Sequence, residues 1–193
     1  MSIGKAVIRP LKDALDDLPI QVRQLSEMFR RHGQRQNNNN AQVTGLDKYD
    51  DAPGEIPDYS VTPHRPADGE TTGPVVFYDP KAGATPEQQA QLQAYIDGSN
   101  VARTEGYLAP NGRVSTSGQL RDDASAAAAV ERASGTYRGH AGHVPDTTWT
   151  GVADPHSWLD LDPSINQSLG GQSRRYPVGY QPTEFVYGGP YPK

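Results

Sequence analysis

The densest group of side chains able to do chemistry lies in Tyr137-Arg138-Gly139-His140-Ala141-Gly142-His143-Val144-Pro145-Asp146, where two of the chain's five histidines fall within four positions. The stretch has no apolar periodicity and reads as a loop, the kind of segment on which function concentrates. An imidazole titrates near neutrality and can take a proton from an attacking water. A carboxylate is a hard oxygen ligand suited to Mg2+ or Mn2+. That pairing fits phosphodiester hydrolysis, in which a cation neutralises and polarises the phosphate. His143 and Asp146 stand three positions apart and converge if a turn, or the first turn of a helix, forms across Pro145; an extended chain would point them apart. The same spacing also describes a surface turn closed by an aspartate cap.

Nearby residues supply auxiliary groups. His140 can join the site because Gly142 lets the loop fold both rings toward one point. Asn166, Ser168 and Gln172 offer amides and a hydroxyl to hold a phosphate or orient an imidazole. Arg113, Arg174 and Arg175 are candidate phosphate clamps, arginine's rigid fork of donors matching phosphate oxygens. Asp154 and His156 rank lower as metal ligands, and Asp162 reads as a helix cap. Trp149 and Trp158 read as core anchors rather than base-stacking platforms. Gly-x-Ser-x-Gly, the phosphate-binding Gly-x-x-x-x-Gly-Lys-Ser/Thr loop and His-Glu-x-x-His are all absent. Arg113-Val114-Ser115-Thr116-Ser117 has the Arg plus Ser-Thr-Ser pattern of mono-ADP-ribosyltransferases, but no Glu-x-Glu follows it.

Composition narrows the setting. The chain has 193 residues, 34% of them hydrophobic, with 20 Gly and 17 Pro. Apolar surface is thin against the entropy of ordering the whole length, so a compact core is expected to use only part of it. The absence of cysteine removes disulfides, thiolate zinc sites and cysteine nucleophiles. No apolar run approaches the roughly eighteen residues of a membrane span, and Met1 to Pro10 lacks the apolar stretch of a secretory signal. The net charge of -5 weighs against wholesale electrostatic capture of nucleic acid. A nuclease, however, needs cations along only one groove. Arg103, Arg113, Arg121, Arg132, Arg138, Arg174 and Arg175 make the C-terminal half arginine-rich.

The elements that must position these groups follow from periodicity and punctuation. Ile8 to His32 carries Leu11, Leu15, Leu18, Val22, Leu25 and Phe29 at helical spacing, kinked at Pro19, and residues 1–33 read as an N-terminal helical docking segment. Residues 34–73 read as a flexible linker, and 74–193 as the C-terminal domain. Within it Val75 to Tyr78 is a strand candidate. Thr85-Pro86-Glu87-Gln88 opens a helix to about Arg103 that buries Leu92, Tyr95 and Ile96. Pro110-Asn111-Gly112 is a turn, a small-residue helix spans about Gly118 to Ser134, and a third helix runs from Asp162-Pro163 to Gly170-Gly171. The tail from Tyr176 is expected to wrap the domain in extended form. The fold class implied is mainly α, a small helical domain with short strands and long irregular segments.

An ordered set of motifs gives a family resemblance. Gly112-Arg113-Val114-Ser115-Thr116, the helix Ala124 to Glu131, Gly142-His143-Val144-Pro145-Asp146-Thr147-Thr148-Trp149, and Asn166-Gln167-Ser168-Leu169-Gly170-Gly171-Gln172 together resemble the bacterial polymorphic toxin nucleases with a His-x-x-Asp signature, the novel toxin fifteen group. The match covers roughly the last hundred residues. The resemblance implies a metal-dependent DNase with His143 and Asp146 as its catalytic pair, delivered without a signal peptide, commonly by a type VI secretion system, into a target-cell cytoplasm. It also implies a secretion-system adaptor or carrier and a cognate immunity protein. An RNase or ADP-ribosyltransferase toxin, or a non-enzymatic secretion or phage accessory protein, are the alternatives.

Overall fold

The computed structural model describes residues 62–193. The N-terminal helical segment and most of the linker expected from the sequence lie outside the described residues. The order of elements is β1 (Thr72–Phe77), α1 (Pro86–Thr104), α2 (Gln119–Arg132), β2 (His140–Val144), α3 (Thr147–Thr150), β3 (Ser157–Leu161), α4 (Pro163–Ser173) and β4 (Gln181–Tyr187).

The mainly α expectation is corrected: the described region is 36% helix and 17% strand, a mixed α/β fold with two small sheets. Three strands escaped the periodicity reading for physical reasons. In β2 the sequence His-Ala-Gly-His-Val has no alternation of apolar and polar residues. Its partner β3 is equally short, and β4 places only Phe185 fully inside. Each is specified by what it pairs with rather than by its own pattern.

β1 and β4 pair in parallel, Val75 opposite Phe185 and Phe77 opposite Tyr187, with a register shift between Gly73 and Pro74. The shift falls where Pro74 has no N–H to give to a ladder. A parallel pair needs a long crossover, and here the crossover contains every other element. β1 is therefore buried on both faces, with Val75, Val76, Phe77 and the following Tyr78 all fully inside, which explains its unbroken apolar run. The tail expected to wrap the domain instead inserts: Tyr176, Tyr180 and Phe185 join Phe77, Tyr95 and Trp149 in one aromatic core, with Trp149 edge-on to Tyr176 and to Phe185 at centroid separations of 5.7 Å.

α1 starts as anticipated, on a reciprocal capping box between Thr85 and Gln88 with Pro86 in the first turn. It buries Leu92, Tyr95 and Ile96. The Asn100 side chain extends the strand ladder sideways, its Nδ2 donating to the Phe185 carbonyl at 2.8 Å and its Oδ1 accepting from the Phe185 N–H at 2.9 Å. α4 begins at the Asp162 cap but does not stop at Gly170-Gly171; it continues to Ser173. Two glycines in a helix cost about 1 kcal/mol each. The last turn is held against that cost by Gln172 and Ser173, both buried and both hydrogen-bonded across the core.

β2 and β3 are antiparallel, His140 opposite Leu161 and His143 opposite Trp158. α2 packs against β2 through few residues, Ala124 being its only buried side chain. A cavity lies between that helix, β2 and the start of α3.

Candidate functional site

A cavity of about 1000 Å3 opens between these elements, and both His143 and Asp146 border it, with His140, Asn166, Arg113 and Arg174. The two residues reach the cavity from different elements. His143 is the penultimate residue of β2, the Val144–Pro145 peptide is cis, and Asp146 caps α3. The histidine thus sits on a strand edge and the aspartate at a helix start, not in a free loop.

Asp146 does two jobs. Its Oδ1 accepts from the Thr148 N–H at 2.8 Å, closing α3, while the backbone N–H of Asp146 donates to the Tyr95 hydroxyl at 2.9 Å. The second oxygen, Oδ2, faces Gly170 of α4, where a Cβ would lie 3.9 Å away. The aspartate cap expected as the alternative is thus observed, and it uses one of the two carboxylate oxygens.

His143 Nε2 lies 3.1 Å from the Ala153 carbonyl. A carbonyl only accepts, so this bond requires Nε2 to carry the proton and leaves Nδ1 as the basic nitrogen. The ring packs at 50° on Trp158, centroids 4.4 Å apart. Burial holds the His143 pKa below the usual imidazole value, partly opposed by the Asp146 charge, the Ala153 carbonyl and Asp154. The imidazole is accordingly neutral at pH 7, the form able to accept a proton, and its carboxylate neighbour stabilises the imidazolium that results.

Arg113 is fixed by its backbone. Its N–H donates to the Tyr180 carbonyl and its carbonyl accepts from Gly179, both at 2.8 Å. The close approach depends on Gly112, whose φ is +75° and whose absent Cβ would fall 2.4 Å from the Gly179 oxygen. The guanidinium then reaches the Thr148 hydroxyl at 2.9 Å, linking it to the residue that caps with Asp146. Burial and the nearby Arg174 charge lower the Arg113 pKa, while Asp146 opposes them, as expected of two cations and one carboxylate sharing a site.

The remaining predicted residues divide. His140 Nδ1 pairs with the Asn166 amide at 3.1 Å, and both border the cavity. Gly142 does not fold the two imidazoles together. Positions 140 and 143 alternate across β2, although both side chains border the cavity, and a Cβ at Gly142 would lie 2.4 Å from Leu161 Cδ1, so the buried leucine would have to shift. Gln172 and Ser168 do not border the cavity. Gln172 acts as a strand surrogate, accepting from the Tyr78 N–H and donating to the Tyr78 carbonyl and to Ser168 Oγ, each at 2.8 Å. Arg175 is also elsewhere, packed over Tyr78 and Tyr191. His156 pairs with Glu105 at 2.7 Å, away from the cavity, and Asp154 does not border it either. Trp149 is a core anchor, as anticipated, with Nε1 on Ser173 Oγ at 3.1 Å; Trp158 is half-buried against His143.

Three contributors went unassigned in the sequence reading. Arg121 and Arg132 border the cavity from α2, and Thr148 joins Arg113 to Asp146. The arginines had a legible signal, since eleven positions apart in a helix is three turns and hence one face.

The donor set suits a cation that takes few protein ligands. Among the described residues no three His, Cys, Asp or Glu side chains group as a metal centre. Asp146 Oδ2 is a hard oxygen not used by the cap, and His143 Nδ1 is a free acceptor by the tautomer argument. Mg2+ characteristically binds through one or two carboxylates plus water and substrate phosphates, so the residues present fit that mode and not a closed protein cage. Among the described residues no helix is long and apolar enough to cross a membrane. Comparison with known protein families, with curated proteins and with solved structures finds no match to this chain.

Proposed function

We propose that this protein is a toxin nuclease that hydrolyses phosphodiester bonds in DNA, with His143 as general base and Asp146 as cation ligand. The observation that carries the reading is one cavity bordered by a histidine, a carboxylate with one oxygen outside the helix cap and four arginines, Arg113, Arg121, Arg132 and Arg174, in a chain whose net charge is -5. Positive charge gathered in a concave site against an acidic background is the signature of an anionic substrate.

In the proposed reaction His143 Nδ1 accepts a proton from water as its oxygen bonds to phosphorus and the bond to the departing sugar oxygen breaks. The carboxylate of Asp146 stabilises the imidazolium formed. Arg113, held by Thr148 and by two backbone bonds, has little freedom to lose on binding a phosphate, so its donors are pre-aimed. Arg174 adds a second cation. A bound Mg2+ or Mn2+ would be held by Asp146 and would supply charge neutralisation and polarisation of the scissile phosphate; His143, the other candidate ligand, has only Nδ1 to offer and cannot coordinate through it while acting as base.

DNA as substrate, delivery as a secreted effector through an adaptor or carrier, action in a target-cell cytoplasm and a cognate immunity protein come from the motif resemblance. The test is cleavage of supercoiled plasmid by wild type and by His143→Ala, with Mg2+ or Mn2+ and with a chelator. Nicking and linearisation by wild type with metal alone is the expected result. RNA degraded with plasmid left whole makes the chain an RNase, consumption of NAD makes it an ADP-ribosyltransferase, and no turnover of any of these removes the enzymatic reading.

A further inference from the structure

Arg121 and Arg132 stand at the two ends of the cavity face of α2. Between them the residues bordering the cavity are Ala124, Ser125, Ala128 and Ala129, spaced three and four apart as one helical face requires. Eleven residues of helix rise about 16 Å, so the two guanidiniums bracket a track of that length with no large side chain along it. Arg113 and Arg174, which lie near each other and near Asp146, border the same cavity. Among the described residues none of Arg121, Arg132 and Arg174 is in a salt bridge. The charges are thus available to an external anion, and they extend beyond what one scissile phosphate needs.

The dimensions choose between forms of nucleic acid. Spread along a track of about 16 Å, a volume of 1000 Å3 leaves a groove about 8 Å wide. A duplex does not fit: its grooves are about 8.5 and 7.5 Å deep on opposite sides of the base pairs, so the helix is at least about 16 Å thick. Nor is α2 built to enter that groove from outside, because Asp122 and Asp123 are exposed and do not border the cavity. A single strand does fit: at the stacked rise of about 3.4 Å per nucleotide, a 16 Å track accommodates about five. Small side chains let the strand lie close to the helix while the terminal arginines hold its phosphates.

We infer that the cavity takes a short single-stranded segment, running along α2 from Arg121 to Arg132 past the reactive pair, and that duplex substrate is engaged only where it is opened or frayed. The inference rests on reading the cavity as a nucleic-acid site but not on cleavage. It is tested by binding of fluorescein-labelled ten-nucleotide single-stranded DNA, and of the matching blunt duplex, to His143→Ala protein in chelator across a range of salt. The expected result is at least tenfold tighter binding of the single strand. Arg121→Ala and Arg132→Ala, made in the same background, each weaken it and lower the slope of log K against log salt by about 0.7, the contribution of one single-strand phosphate contact. Equal or tighter duplex binding, or slopes unmoved by either substitution, overturns the inference. Should wild type bind the single strand as described but cut no nucleic acid, the nuclease reading fails and this one stands. Should it cut with no single-strand preference and unmoved slopes, the reverse holds.

Discussion

Asp146 is asked to cap a helix and to supply a charge, and substitutions can separate the two. Its Oδ1 satisfies the Thr148 N–H, a bond that Asn and Ser at an N-cap also make and Ala does not. Losing a cap costs about 1 kcal/mol, or roughly 4 °C in Tm for a domain of this size. Asp146→Ala should therefore lose about 1 kcal/mol in urea unfolding, whereas Asp146→Asn and Asp146→Ser should unfold within a few tenths of wild type. All three should lose at least a hundredfold in cleavage, because none leaves a carboxylate near His143. A second readout isolates the charge. Asp146 opposes the burial-driven lowering of the His143 pKa, so in metal-free Asp146→Asn the His143 ring, followed by NMR, should titrate at lower pH than in wild type. Retention of cleavage by Asp146→Asn would refute the argument that the charge matters. An unmoved His143 midpoint would show that the two groups do not share a field.

The remaining predictions concern pH and stability. With its pKa lowered by burial, His143 stays neutral below the usual imidazole value of about 6.5, so the acid limb of kcat/KM should fall below pH 6.5, read from a pH–rate profile. The same shift acts on folding: the unfolded chain takes up this proton more readily than the folded one, so the stability involved is present above pH 6.5 and is lost as pH falls toward the folded pKa. His143→Phe should flatten that acid-side decline in urea midpoints. Gln172→Ala strips partners from both the N–H and the carbonyl of buried Tyr78. A loss of about 2–6 kcal/mol in denaturant unfolding is expected at roughly 1–3 kcal/mol for each of the two orphaned groups; a stable Gln172→Ala with abolished cleavage would contradict the structural role assigned to it.

What the residues determined on their own were local matters: the Thr85–Gln88 capping box, the Asp162-Pro163 helix start, the turn at Gly112, the apolar run from Val75 to Tyr78 and the Asp146 helix cap. Each is encoded within a few positions, where caps, proline geometry and side-chain spacing act directly. Tertiary structure decided the rest. β2 and β3 form because they pair with each other, and β4 because β1 and Asn100 supply partners for its backbone, so no pattern within those segments announces them. Gln172 and Arg175 resemble site residues in type, yet α4 turns one into the core and lays the other over Tyr78 and Tyr191. Arg121 and Arg132 border the cavity only because α2 lays its small face along it. Which long polar side chain reaches a substrate depends on the face its element presents, and packing between segments distant in the chain sets that face.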